Sequence, residues 1–154
     1  MRPPLQLSLQ FADPRHRSEL PRHFVTRCIR AALAAPAQIA VRLVDDAEGL
    51  QLNQGYRGQD HATNVITFDY EHTPVVVADL VLCSPVVAQE ARRQRIPLQA
   101  HYAHLLVHGT LHAQGFDHLD DAQAQAMEAR ESEILLALGF ADPYRRSTAA
   151  RGRR

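Results

Sequence analysis

The chain contains no lysine, so all seventeen of its basic residues are arginine. Each cation is therefore a planar, permanently charged fork suited to carboxylate or phosphate, although a biased genomic base composition would leave the same mark. Net charge is lacking as well, with seventeen acidic residues against the seventeen arginines. That balance argues against a protein held on nucleic acid by a general positive field and confines any such contact to a local patch. Cysteine is scarce. Cys28 and Cys83 make neither a disulfide framework nor a thiolate zinc site, and each sits within an apolar segment, so both are expected as buried thiols. No apolar run approaches membrane-spanning length, and the Met-Arg-Pro-Pro opening is not followed by the continuous apolar stretch of a signal peptide. The expected compartment is the cytoplasm, with no membrane partner. There is no internal repeat and no linker, and 154 residues with 45% apolar content suit one hydrophobic core.

What is present alternates strand and helix signals. Leu5, Leu7, Leu9 and Phe11 recur with a period of two, which predicts a strand with one buried face. Phe24, Val25, Cys28, Ile29, Ala32 and Leu33 recur at helical spacing until Pro36 forbids continuation; Arg22, Arg27 and Arg30 fit a solvated outer face better than an RNA-binding stripe. Ile39, Val41 and Leu43 predict a second strand, followed by Asp45 and Asp46 as caps of a helix carrying Leu50 and Leu52 toward Tyr56 and Arg57. The β-branched runs Val65 to Phe68 and Val75 to Cys83 flank a short loop with Pro74 and predict an antiparallel pair. Ser84 before Pro85 reads as an N-cap for a helix that stops before Pro97. A longer helix is expected from Leu98 through Leu105, Leu106 and Val107, and a last one, capped by Asp120 or Asp121, buries Met127, Ile134, Leu135 and Leu138 before Gly139 ends it. The fold class is α+β: one domain over residues 1–144, a small mixed sheet of about four strands with helices packed on it, and a metal site at the end of a helix. Residues 145–154, rich in arginine and without apolar periodicity, are expected to be a disordered tail, serving RNA contact or solubility equally well.

The chemistry concentrates in His108-Gly109-Thr110-Leu111-His112-Ala113-Gln114-Gly115-Phe116-Asp117-His118. On a helix His108 and His112 lie four residues apart on one face, about 5–6 Å between Cβ atoms, so both imidazoles can reach one ion. Gly115 can take a positive-φ conformation that ends the helix and brings His118 round as a third ligand. Three neutral nitrogens suit Zn²⁺ and leave the fourth tetrahedral position open, as in catalytic sites. The spacing is that of the metzincin peptidases, but Gly109 stands where those enzymes carry the glutamate base. The metal reading survives that change and the peptidase reading loses its proton acceptor. His16, His23, His61, His72 and His101 are read as satisfied or surface histidines, while His104 could pair with His108 instead. Met127 is read as a core residue and not as a Met-turn. Arg57, in the polar cluster Tyr56-Arg57, Asp60 and Thr63, is the candidate for holding a phosphate and stabilising charge on phosphorus; a salt bridge to a nearby aspartate accounts for it equally well. Asp117 is either a proton acceptor or a group that orients a histidine N–H.

These residues resemble the YbeY family of bacterial endoribonucleases. His108-Gly109-Thr110-Leu111-His112 with Gly115, Phe116, Asp117 and His118 is similar to the family's H-G-x-L-H-L-x-G-Y-D-H, with Ala113 and Phe116 as the departures. Leu52-Asn53, Tyr56-Arg57 and Thr63-Asn64-Val65-Ile66-Thr67-Phe68 resemble its second motif, and Ala78-Asp79-Leu80 its G-D-I. The likeness runs from about Leu43 to Tyr144, including Met127, Glu128 and Glu131; the first forty residues match only in pattern. The resemblance implies one zinc ion held by His108, His112 and His118, an active-site arginine at Arg57, and single-stranded RNA as substrate. It also implies work on the 3′ end of small-subunit ribosomal RNA and in ribosome quality control, with ribosomal RNA and the ribosome or its associated proteins as partners. Two other readings compete: a zinc peptidase, weakened by Gly109, and a noncatalytic ribosome-assembly module in which zinc staples a helix end.

Overall fold

The computed structural model describes residues 3–57, 63–117 and 119–144, and among these the side chains of Tyr56 and Arg57 are left out. The expected tail, 145–154, lies outside the described residues. The elements in chain order are β1 (Leu5–Phe11), α1 (Arg22–Ala32), β2 (Ala37–Val44), α2 (Asp46–Arg57), β3 (Val65–Glu71), β4 (Val76–Cys83), α3 (Ser84–Gln94), α4 (Leu98–Ala113) and α5 (Asp121–Ala137), with one 3-10 turn at Arg17–Glu19. The sheet order is β1-β2-β4-β3. β1, β2 and β4 run parallel, and β3 is antiparallel to β4, as the paired β-branched runs predict. The α+β class with a four-stranded mixed sheet is the one expected.

Alternation places the odd residues of β1 against the core and leaves the even ones exposed, because β1 is an edge strand covered on one face. Central β4 is buried along most of its length. α4 is the helix the fold is built around: it touches α1, α3, α5, β3 and β4, and ten of its sixteen residues are buried. A helix apolar nearly all round has no solvent face to spare and must be enclosed. Each fully buried leucine, such as Leu106 or Leu111 at 1% exposure, contributes roughly 1.5–3 kcal/mol, so packing fixes the direction of α4 and of the histidines at its end. A smaller cluster, Val44, Ile66, Val81 and Cys83 with Leu52, Phe68 and Val86, fills the opposite side of the sheet. Both thiols are buried, as expected.

Caps and stops follow the sequence with one exception. Asp45 caps α2, its Oδ1 accepting from Glu48 N–H at 2.9 Å. Asp120 caps α5 through Gln123 N–H at 2.8 Å. Ser84, expected as an N-cap, is instead the first residue of α3, and Cys83 occupies the cap without a side-chain capping hydrogen bond, its Sγ lying 3.6 Å from Asp45 O instead. The cause is that β4 runs straight into the helix: Cys83 still pairs as strand, its N–H donating to Asn64 O at 3.0 Å. α4 ends as predicted, with Gly115 at φ +104 and Phe116 N–H reaching back to Leu111 O at 3.2 Å.

Candidate metal centre

The last two turns of α4 carry His108 and His112, both half-buried. Each ring is held through Nδ1. His108 Nδ1 lies 2.7 Å from Glu131 Oε2, and His112 Nδ1 lies 2.9 Å from the main-chain oxygen of Phe116. Oxygen acceptors at both positions require Nδ1–H, and a neutral imidazole with Nδ1–H carries its lone pair on Nε2, the form that ligates a metal. The donor chemistry of this pair thus fits a zinc site. His118 lies outside the described residues, and among the described residues no group of three histidine, cysteine or carboxylate side chains is arranged to hold an ion. Arg57 closes α2, and its side chain is likewise not described.

Glu131 comes from α5 and is 1% exposed. Its Oε1 accepts from His104 Nε2 at 2.7 Å and from the Tyr144 hydroxyl at 2.5 Å. Burial alone pushes this carboxyl up, but the hydrogen bonds from His104 and His108 outweigh it and bring it down to about 2. Burial and the adjacent carboxylate push the Tyr144 hydroxyl upward, so it remains a donor. His104, which the sequence allowed as an alternative partner of His108, points its Nε2 at Glu131 and Tyr144.

The remaining polar residues divide by location. Asp117 is half-buried and lines a shallow concavity of about 330 Å³ with Gln114, Gly115, Phe116, Gln123 and Ala126. Gly109 faces the sheet: a Cβ there would lie 3.1 Å from Leu80 Cδ2 and 3.5 Å from Thr67 Oγ1. His16 bonds the Tyr102 hydroxyl at 2.7 Å and His72 pairs with Asp69 at 2.9 Å. His23 is exposed, and His61 lies outside the described residues. His101 bonds Glu90 at 2.8 Å, and Glu90 also receives Asn64 Nδ2 at 3.0 Å, which ties the start of β3 to α3 and α4. Met127 is buried in α5, as read from its spacing.

A model of the family described as Endoribonuclease YbeY matches residues 7–139. The chain belongs to the YbeY family. Similar proteins named Endoribonuclease YbeY include that of Methylibium petroleiphilum, 68% identical over 143 residues, covering 93% of this chain and 96% of the relative. That of Delftia acidovorans is 62% identical over 145 residues, covering 91% and 95%. The fold resembles the solution structure of TM1509 from Thermotoga maritima, with a TM-score of 0.63 at 22% identity over 84% of this chain and 87% of that one. The YbeY likeness therefore extends across β1 and α1, beyond the point near Leu43 where quotable motifs begin.

The reading of the sequence named Glu131 only within the extent of the family likeness and gave it no task, while the Phe116 carbonyl and Glu90 had no part in it. A signal for Glu131 exists. It stands on the stripe Met127, Ile134 and Leu135, where a carboxylate at a core position demands hydrogen-bonding partners. The Phe116 contact is made by main chain and leaves no trace in residue type.

Proposed function

We propose that this chain is a zinc-dependent endoribonuclease that cleaves single-stranded RNA, with the ion held by His108, His112 and His118 and the scissile phosphate held by Arg57. Membership of the YbeY family at 68% identity supports the endoribonuclease activity, a hydrolase reaction on RNA. The observation that carries the metal assignment is the Nδ1 engagement of both His108 and His112, which prepares two Nε2 donors one helical turn apart. The resemblance extends the proposal to the 3′ end of small-subunit ribosomal RNA, to ribosome quality control and to the ribosome as the setting.

The residues divide the work. An ion bound by the three histidines would supply Lewis acidity toward a phosphoryl oxygen. Arg57 closes α2, and its guanidinium fork suits two phosphate oxygens and offsets charge developing on phosphorus. Asp117, next to His118 in sequence, accepts a proton or orients that ligand. The ribose 2′-hydroxyl of the substrate is the nucleophile if the products end in a 2′,3′-cyclic phosphate, and water is the nucleophile if they carry a 5′-phosphate.

The test is metal analysis alongside cleavage of a labelled single-stranded RNA by wild type, His112→Ala and Arg57→Ala. Wild type is expected to hold one zinc per chain, His112→Ala to lose both zinc and cleavage, and Arg57→Ala to keep zinc while losing cleavage. Undiminished cleavage by His112→Ala overturns the metal assignment. Casein turnover abolished by the same substitution would revive the peptidase reading.

A further inference from the structure

We propose that Glu131 is a positioning residue for the metal centre: it fixes the tautomer of His108, and His104 and Tyr144 hold it in register to do so. The inference rests on the zinc reading above and goes beyond it, because it assigns a task to three residues outside the ligand set.

The argument starts from proton counting. Glu131 is 1% exposed and its two oxygens meet three donors, His104 Nε2 at 2.7 Å, the Tyr144 hydroxyl at 2.5 Å and His108 Nδ1 at 2.7 Å. An ionised carboxylate only accepts, so every ring nitrogen facing it carries a hydrogen. His108 is thereby held as the Nδ1–H tautomer with its lone pair on Nε2. The two oxygens are assigned separately: Oε2 serves His108, while Oε1 is occupied by His104 and Tyr144, which stops the carboxylate from rotating away from the ligand. The support seen for His112 is a main-chain carbonyl, which substitution cannot remove. Glu131 is a side chain on another helix, so the stiffness of His108 depends on the docking of α5 against α4 and on the segment ending at Tyr144. Carboxylates behind metal-bound histidines typically change metal affinity 10–100-fold when removed.

Glutamine at this position separates positioning from simple packing. It keeps the volume but replaces one oxygen by NH₂, a donor that cannot face an N–H. If the amide nitrogen turns to His108, the ring must move its proton to Nε2, the form that does not ligate. If it turns to His104, the conflict falls there and on Tyr144.

Nitrogen-detected NMR of the histidine rings in metal-free protein reads the tautomer directly, and zinc titration against a chelating indicator reads affinity; neither requires RNA cleavage. Metal-free wild type is expected to show His108 as Nδ1–H. Glu131→Gln is expected to shift His108 toward Nε2–H and to weaken zinc 10–100-fold, with His112 unchanged. Tyr144→Phe, which removes one of the partners of Oε1, is expected to weaken zinc by a smaller factor. The proposal is overturned if wild-type His108 carries its proton on Nε2, a result that needs no variant to fold. It is also overturned if a Glu131→Gln protein whose His108 reads as Nε2–H binds zinc as wild type does. Wild type that binds no zinc, with His108 still Nδ1–H, sinks the zinc reading and the affinity role together while leaving the tautomer assignment standing.

Discussion

Gly109 shows how much one residue can decide by what it does not carry. In the sequence it marks a missing carboxylate, and in the structure it marks a close approach of α4 to β4, because a Cβ at this position would stand 3.1 Å from Leu80 Cδ2. The two observations are connected: the backbone at 109 points into the sheet, where a glutamate would start out buried against Leu80. Gly109→Ala sets a gain of about 1 kcal/mol in helix propensity against an overpacking cost of roughly 1–3 kcal/mol. We expect a net loss of about 1 kcal/mol in urea denaturation, since Leu80 can yield only by displacing other buried side chains. Gly109→Glu is expected to cost more than about 4 kcal/mol and to leave little folded protein, as the desolvation of a charge is added to the overpacking. A stable Gly109→Glu protein would show that α4 can roll away from the sheet and would reopen the peptidase reading.

At the scale of elements, the joint between β3, α3 and α4 depends on one carboxylate. Burial would push Glu90 up, but hydrogen bonds from His101 on α4 and Asn64 at the head of β3 outweigh it, with Arg93 on its own helix adding to them, and its pKa is lowered below the ordinary 4.5. A depressed value in the folded state means that the stabilisation is fully present above pH ~4.5 and fades as pH falls through the folded value. Glu90→Gln is therefore expected to lose about 1–2 kcal/mol at pH 7, and the gap to wild type should close as pH falls below the ordinary 4.5 and through the lowered folded value. Denaturant midpoints at a series of pH values check this, and a gap independent of pH would show that the charge of Glu90 contributes nothing. This joint was invisible in the sequence, although the elements it joins were not. Strands and helices announce themselves by period, as the alternating leucines of β1 and the run that stops at Pro36 do, because periodicity is a local property of the chain. The pairing of β3 with β4 was legible because they are neighbours in sequence; the parallel placement of β4 beside β2 joins residues about forty apart and was not. The same distinction divides the site. His108 and His112 are legible because one helical turn relates them, whereas Glu131 reaches His108 only through the docking of two helices, and the cap at Ser84 failed because strand pairing held Cys83.

Across the whole molecule, seventeen arginines balance seventeen carboxylates, and this bears on how RNA would be held. Several arginines are already committed within the described residues: Arg42 lies against Glu48 at 2.7 Å, Arg15 against Asp13 at 2.8 Å, and Arg130 against Glu133. A neutral surface carrying internal ion pairs releases few counterions when a strand binds, and binding of single strands weakens with salt as a slope of about −0.7 for each phosphate neutralised. If Arg57 and one or two further contacts make up the electrostatic footprint, the slope of log affinity against log salt should lie near −1 to −2. Fluorescence anisotropy with a labelled single-stranded RNA between about 50 and 200 mM salt measures it, using a cleavage-deficient His112→Ala protein so that the strand stays intact. Arg57→Ala should lower the affinity and make the slope shallower by about 0.7, because it removes one phosphate contact. A wild-type slope steeper than about −4 would instead require a broad basic track, and the ten residues of the sequence richest in arginine are 145–154. Deleting that stretch would then collapse the slope, whereas on the local-contact argument the deletion leaves it unchanged.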